Sequence, residues 1–114
     1  MLDSIKQKLK QINLKEPTIY KKAGVLIILL KDSEEGEFKI LFTKRSSKLS
    51  THSGEVSFPG GMYEEFDKNL LKTALRESNE EINLDSKNLT KLGRLDFLLS
   101  RHKVEVNPFI GYLK

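Results

Sequence analysis

The chain has 114 residues, 38% of them apolar and 32% charged, with a net charge of +4. That is enough for one domain with its own core, and the balance excludes a disordered tail. The absence of cysteine excludes disulfides, thiolate chemistry and cysteine-bound zinc, and the longest apolar run, residues 25–30, is far short of the roughly 18 residues that cross a bilayer.

Leu2, Ile5, Leu9 and Ile12 recur at helical spacing among lysines and glutamines, which predicts an amphipathic first helix that Pro17 keeps from extending. This stretch lacks the apolar segment and cleavage site of a signal peptide, so the expected location is cytoplasmic, with no membrane partner. Residues 23–30 form a β-compatible apolar run, read as a strand buried on both faces, although period alone leaves a buried helix open. A turn follows at 31–37. Phe38, Ile40 and Phe42 then alternate with Lys39, Leu41 and Thr43, so residues 37–44 read as the hairpin partner. The acids Glu34, Glu35 and Glu37 are read as solubilising the hairpin tip. A polar loop at 45–54, a short strand at 55–58, a helix at 67–82 and strands near 93–99 and 104–113 complete the chain. His102 carries no assigned role. The lysines are scattered and not interleaved with aromatic residues, so nucleic acid is not an expected partner.

The second helix carries charge in an unfavourable place. Asp67 is read as its N-cap, Leu70, Leu71, Ala74, Leu75 and Ile82 as its buried stripe, and Asn83 as its left-handed terminator. Glu77, Glu80 and Glu81 then fall on one side, within reach of one another, in the last two turns where the helix dipole disfavours acids. The Glu77–Glu81 repulsion costs about 0.2–0.5 kcal/mol and each C-terminal acid about 0.3–1 kcal/mol more. Arg76 offsets part of this through Glu80 at i+4. A solvated acidic face is the plain alternative. The glycines that precede the helix favour a metal: if Gly60 and Gly61 bring backbone close, a carbonyl joins the three carboxylates around a hard cation.

The segment GMYEEFDKNLLKTALRESNEEINL, residues 61–84, resembles the Nudix box, in which a Gly, five residues and a Glu lead to Arg-Glu-apolar-X-Glu-Glu-X-Gly-apolar. Gly61, Asp67, Arg76-Glu77, Glu80-Glu81, Asn83 and Leu84 take the corresponding places. The chain departs at Asp67 for Glu, at one extra residue before Arg76, at Ser78 for an apolar residue and at Asn83 for Gly. Upstream, LFTKRSSKLSTHSGEVSFPGG resembles the signature of the coenzyme A pyrophosphatase branch of the family, through Thr43, Arg45, Ser46, Gly54, Phe58, Pro59, Gly60 and Gly61. Phe42 stands where that signature has Leu, and Ser50 where it has Arg.

This resemblance implies an α+β fold, an α/β/α sandwich around a mixed β-sheet, in a single domain spanning residues 1–114. Family members usually extend beyond the Pro108–Gly111 stretch. The chain is therefore expected to lack C-terminal elements, to leave a sheet face exposed that favours homo-oligomerisation, and to turn over slowly or not at all by itself. The implied activity is Mg²⁺- or Mn²⁺-dependent hydrolysis of the pyrophosphate bond in coenzyme A or a related nucleoside diphosphate derivative, by attack of water at phosphorus. Glu77, Glu80 and Glu81 would be ligands with the Gly60 carbonyl, Arg76 would position a glutamate, and the base is open between a box glutamate and a later loop residue. Arg45, Lys44 and Ser46 would meet the substrate, although Lys44 reads equally well as a solvated strand end. His52 is chiefly a loop residue, with a substrate contact as the alternative. Ser50 keeps other substrates open, such as ADP-ribose, a dinucleoside polyphosphate or an oxidised nucleotide, and a non-catalytic nucleotide-binding fragment is the third reading.

Overall fold

The computed structural model describes residues 1–31, 33, 36–44 and 56–114. Its first helix, α1 (Leu2–Lys10), is followed by β1 (Lys22–Lys31), which settles the apolar run as a strand. β1 is central. β8 (Glu105–Leu113) runs parallel to it along one edge, while β2 (Phe38–Leu41) and β5 (Gly60–Met62) share the other edge as antiparallel neighbours. β6 (Leu89–Arg94) and β7 (Leu98–Leu99) pair in turn with β8. Leu26 and Ile28 are buried on the face that the second helix covers, while Val25, Ile27 and Leu29 on the other face are half-buried, so β1 is not the strand buried on both faces that its unbroken run suggests. β3 (Thr43–Lys44) and β4 (Val56–Ser57) form a separate two-stranded ribbon.

The second helix, α2 (Leu70–Ile82), lies across β1 and β5. Close packing is possible because Gly24 has no side chain: a Cβ there would stand 3.3 Å from Cβ of Thr73 and 3.1 Å from the Ala74 nitrogen. The core beneath the helix joins Leu26, Ile28, Ala74, Leu75, Leu84 and Leu89, flanked by Phe109 and Leu113. In the β1–β8 register Lys22 faces Glu105, Gly24 faces Asn107 and Leu26 faces Phe109, and cross-strand partners share a face. Glu105 and Asn107 therefore lie on the side that α2 covers. The opposite side carries Val25, Ile27, Leu29, Ile110 and Tyr112, all half-buried. Leu2, Ile5, Leu9 and Ile12 of the α1 segment are likewise half-buried while its other residues are exposed, and Leu9 packs over Gly93.

Several boundaries differ from the sequence reading, each for a visible reason. Asp67 is not the N-cap of α2. Asn69 takes that place in extended backbone and its side chain accepts the Lys72 N–H at 2.9 Å, because Asp67 is occupied elsewhere. The strand expected at 93–99 is two strands. A bulge between Lys91 and Gly93 leaves Leu89 and Leu92 buried at a spacing of three, which hides the period of two. Asp96 then breaks the chain by accepting the Phe97 N–H at 2.8 Å. Asn83 does end α2 in the left-handed conformation. Among the described residues, no helix is long and apolar enough to cross a membrane.

Candidate active site

Asp67 ends the loop between β5 and α2 and is almost wholly buried. Its carboxylate accepts from Arg76 Nε at 2.9 Å and Nη2 at 3.0 Å, from Thr73 Oγ1 at 2.9 Å and from the Glu64 N–H at 3.0 Å. The two-pronged Arg76 contact, with the Glu64 and Thr73 donors, outweighs burial and holds the carboxyl well below the usual range, while the same partner raises the guanidinium. The extra residue of the box is absorbed in this loop, so that Asp67 still meets Arg76 nine residues on.

The same guanidinium reaches further. Nη1 donates to Glu77 at 3.0 Å and to Glu80 at 3.4 Å, and Nη2 donates to the Met62 carbonyl at 3.1 Å. The ring of Phe66, itself largely exposed, lies 5.0 Å from the guanidinium. Arg76 thus ties α2 to β5 and to the loop between them, and bridges two glutamates that differ in exposure. Glu77 keeps 21% of its side-chain exposure, whereas Glu80 keeps 57%.

Glu77 occupies space that only a glycine leaves. A Cβ on Gly61 would stand 2.5 Å from Glu77 Cδ and 2.7 Å from its Oε2, closer than real atoms approach, so the carboxylate lies against the β5 backbone. The missing side chain of Gly60 serves the fold. The φ of this residue is +156°, and a Cβ there would meet Val25 Cα at 2.6 Å, so β5 seats closely on β1 through it. Adjacent to this point the Pro59 carbonyl accepts the Leu26 N–H at 2.8 Å.

Carboxylate and backbone oxygens are the donors that Mg²⁺ and Mn²⁺ prefer, and the Gly61 cradle gives Glu77 a fixed seat. The residues fit such an ion in donor chemistry. They are not drawn into a closed cage: among the described residues, no three acids or histidines are assembled around one point, and Glu77 and Glu80 instead share Arg76 Nη1. Glu81, on the same helix, is exposed. Lys44 is exposed at the end of β3, where it pairs with Val56. Arg45, Ser46, Ser50 and His52 lie outside the described residues. Sequence reasoning undervalued Asp67 and missed Thr73, whose spacing of six residues from Asp67 signals nothing by itself.

An α+β domain with two helices, a mixed sheet and an arginine-organised row of acids beside a double glycine defines the class. The NUDIX domain model matches residues 20–111, and the chain belongs to the Nudix family. It is 46% identical over 101 residues to Nudix hydrolase 15, mitochondrial, of Arabidopsis thaliana, covering 88% of this chain and 35% of that protein. It is 39% identical over 94 residues to the peroxisomal coenzyme A diphosphatase ndx-8 of Caenorhabditis elegans, covering 81% of this chain and 40% of that protein. The chain thus spans well under half the length of these relatives. Their names place them in two organelles, so they lend no support to a cytoplasmic location. In fold, it is similar to the crystal structure of the Nudix hydrolase RenU from M. smegmatis, with TM-score 0.66 and 17% identity, over 81% of this chain and 60% of that one.

Proposed function

We propose that the protein to which this chain belongs hydrolyses the pyrophosphate bond of coenzyme A or a related nucleoside diphosphate derivative with Mg²⁺ or Mn²⁺. The observation that carries the reading is the Glu77 carboxylate, seated in the space left by Gly61 and held there by Arg76. Glu77, Glu80, Glu81 and the Gly60 carbonyl would hold the ion. When bound, it neutralises diphosphate charge and lowers the pKa of a water that attacks phosphorus. Arg76, anchored by Asp67, positions Glu77 and is not free to take up substrate phosphate. Lys44 and, by the resemblance, Arg45, Ser46 and His52 would meet the anionic substrate. With coenzyme A, the phosphorus–oxygen bridge breaks as water adds, giving 3′,5′-ADP and 4′-phosphopantetheine.

Support for coenzyme A comes from the resemblance at residues 41–61 and from the named diphosphatase relative. Ser50 in place of the signature's Arg keeps ADP-ribose and dinucleoside polyphosphates as alternative substrates. The deciding experiment is a substrate panel with and without Mg²⁺ on the full-length protein to which this chain belongs and its Glu81→Gln variant, read by product identification, with Mn²⁺ affinity measured by calorimetry. Expected are Mg²⁺-dependent release of 3′,5′-ADP from coenzyme A and a drop in Glu81→Gln of at least the roughly 10–100-fold that outer-shell changes cause. Equal Mn²⁺ affinity in both proteins, with no metal-dependent product from any substrate, would leave only a non-catalytic binding fragment.

A further inference from the structure

A cavity of about 230 Å³ opens between α2 and the strands β1, β6 and β8. Leu26, Leu71, Leu89 and Phe109 give it apolar walls, Arg94 and Lys91 are its charged residues, and among the described residues no acid lines it. Arg94 is half-buried and held in place. Its Nη2 donates to Asn107 Oδ1 at 2.6 Å, its Nε donates to the Leu95 carbonyl at 3.2 Å, and its guanidinium carbon lies 5.1 Å from the centre of the Phe109 ring. Asn107, only 2% exposed, is fixed in turn because its Nδ2 donates to Glu105 at 2.8 Å. Nε and Nη2 are thus engaged, whereas Nη1 donates to no group among the described residues. Lys91 is exposed.

An apolar cavity with a fixed guanidinium and no acid in its wall suits a ligand with one apolar end and one anionic end. A half-buried cation with an unused donor is completed by an anion, and a carboxylate matches a guanidinium that is already ordered before binding. The volume lies below the roughly 300–1,000 Å³ of sites for drug-sized ligands, so the apolar end must be short. Placement separates this cavity from the acids of α2. It lies on the β8 and β6 side of β1, whereas Gly61, which seats Glu77, belongs to β5 on the other edge of β1. We infer that the cavity is a second ligand site, distinct from the Glu77 seat, that takes a short aliphatic carboxylate with its tail among Leu26, Leu71, Leu89 and Phe109 and its charge at Arg94 and Lys91.

The test uses the full-length protein to which this chain belongs, without metal, so its outcome is independent of the proposed hydrolase site. Butyrate, hexanoate, octanoate and octanol are titrated calorimetrically into wild type, Arg94→Gln, Lys91→Gln and Leu71→Phe, each checked for an unchanged melting profile. Expected is saturable octanoate binding, with affinity rising about fourfold per methylene from butyrate to hexanoate, and octanol bound at least roughly tenfold more weakly than octanoate. Octanoate affinity should fall roughly tenfold in Arg94→Gln and up to about fivefold in Lys91→Gln, with octanol unchanged in both. Leu71→Phe, which fills the cavity, should weaken both ligands. Lys91→Gln alters an exposed side chain and keeps the test open if Arg94→Gln does not fold. Absence of octanoate binding, which a cavity filled by the rest of the protein would also give, overturns the site. So does equal affinity for octanoate and octanol, or one octanoate affinity across all folded variants.

Discussion

Two charge networks lie on the face of the sheet that α2 covers, and they are built to opposite ends. At Glu105, one oxygen accepts the Thr18 N–H at 2.7 Å and Lys22 Nζ at 3.2 Å, and the other accepts Asn107 Nδ2 at 2.8 Å. Asn107 in turn accepts Arg94 Nη2 at 2.6 Å. One acid is matched by several donors, so the network closes on itself and joins β1, β8, β6 and the N-terminal segment. At Asp67 the buried acid is again fully matched, but its partner Arg76 is spread over two further carboxylates, Glu77 and Glu80. No basic residue stands in the last turn of α2 to relieve them. The first network carries two cations, Lys22 and Arg94, for one carboxylate, whereas the second carries one cation for three carboxylates. The proposed cation site rests on the surplus acid at the second.

Substitutions sharpen this contrast. The largest effect is expected for Asp67→Asn, which leaves Arg76 short of its buried partner. Arg76 keeps Glu77 and Glu80 and is 22% exposed, so the cost should be roughly 2–4 kcal/mol, somewhat below that of breaking a fully buried pair. Chemical denaturation measures it, and Mn²⁺ affinity should fall in the same variant because Glu77 loses its guide. If stability drops with Mn²⁺ affinity intact, Asp67 is only a structural anchor.

Next comes Glu105→Gln, expected to cost roughly 1.5–3 kcal/mol through lost charged hydrogen bonds, with no change in Mn²⁺ affinity. Burial alone would push the Glu105 carboxyl up, but Thr18, Asn107 and Lys22 outweigh it and hold it at about 2 against an ordinary 4.5. A depressed acid stabilises the fold fully above its unfolded value, and the contribution disappears as pH falls from 4.5 towards 2. Stability of the wild type should decline across that window. Glu105→Gln should flatten part of the decline, the remaining slope belonging to Asp67 and Asp96, whose carboxyls are also held low. An unchanged profile would show that Glu105 is not held as its contacts imply.

The smallest change in the fold is expected for Gly61→Ala. Its added methyl meets only the flexible end of Glu77, so stability should move by less than about 1 kcal/mol, while Mn²⁺ affinity should fall about tenfold as the carboxylate is displaced. Wild-type affinity in that variant would remove the cradle from the proposed site.

Much of this was legible from local pattern. The apolar run of β1, the stripe of α2, the terminator Asn83 and the spacing of Glu77, Glu80 and Glu81 all lie within a few residues of one another, where strand and helix periods are strict. The double glycine was legible as a close approach, although not that Gly60 lets β5 seat on β1 while Gly61 leaves room for Glu77. Less visible were Asp67, drawn off the helix cap by an arginine two and a half turns away, the bulge that breaks the alternation of β6, and the break at Asp96.

By itself the amino-acid order determined the family, the element types around the box and the acids offered to a cation, because each depends on short-range spacing. Only tertiary structure decided that Glu77 sits on Gly61, that Asp67 anchors Arg76, and that Glu105 meets Thr18 across 87 residues. Those contacts arise where separate strands and a helix converge, and no local period in the chain encodes the distance between them.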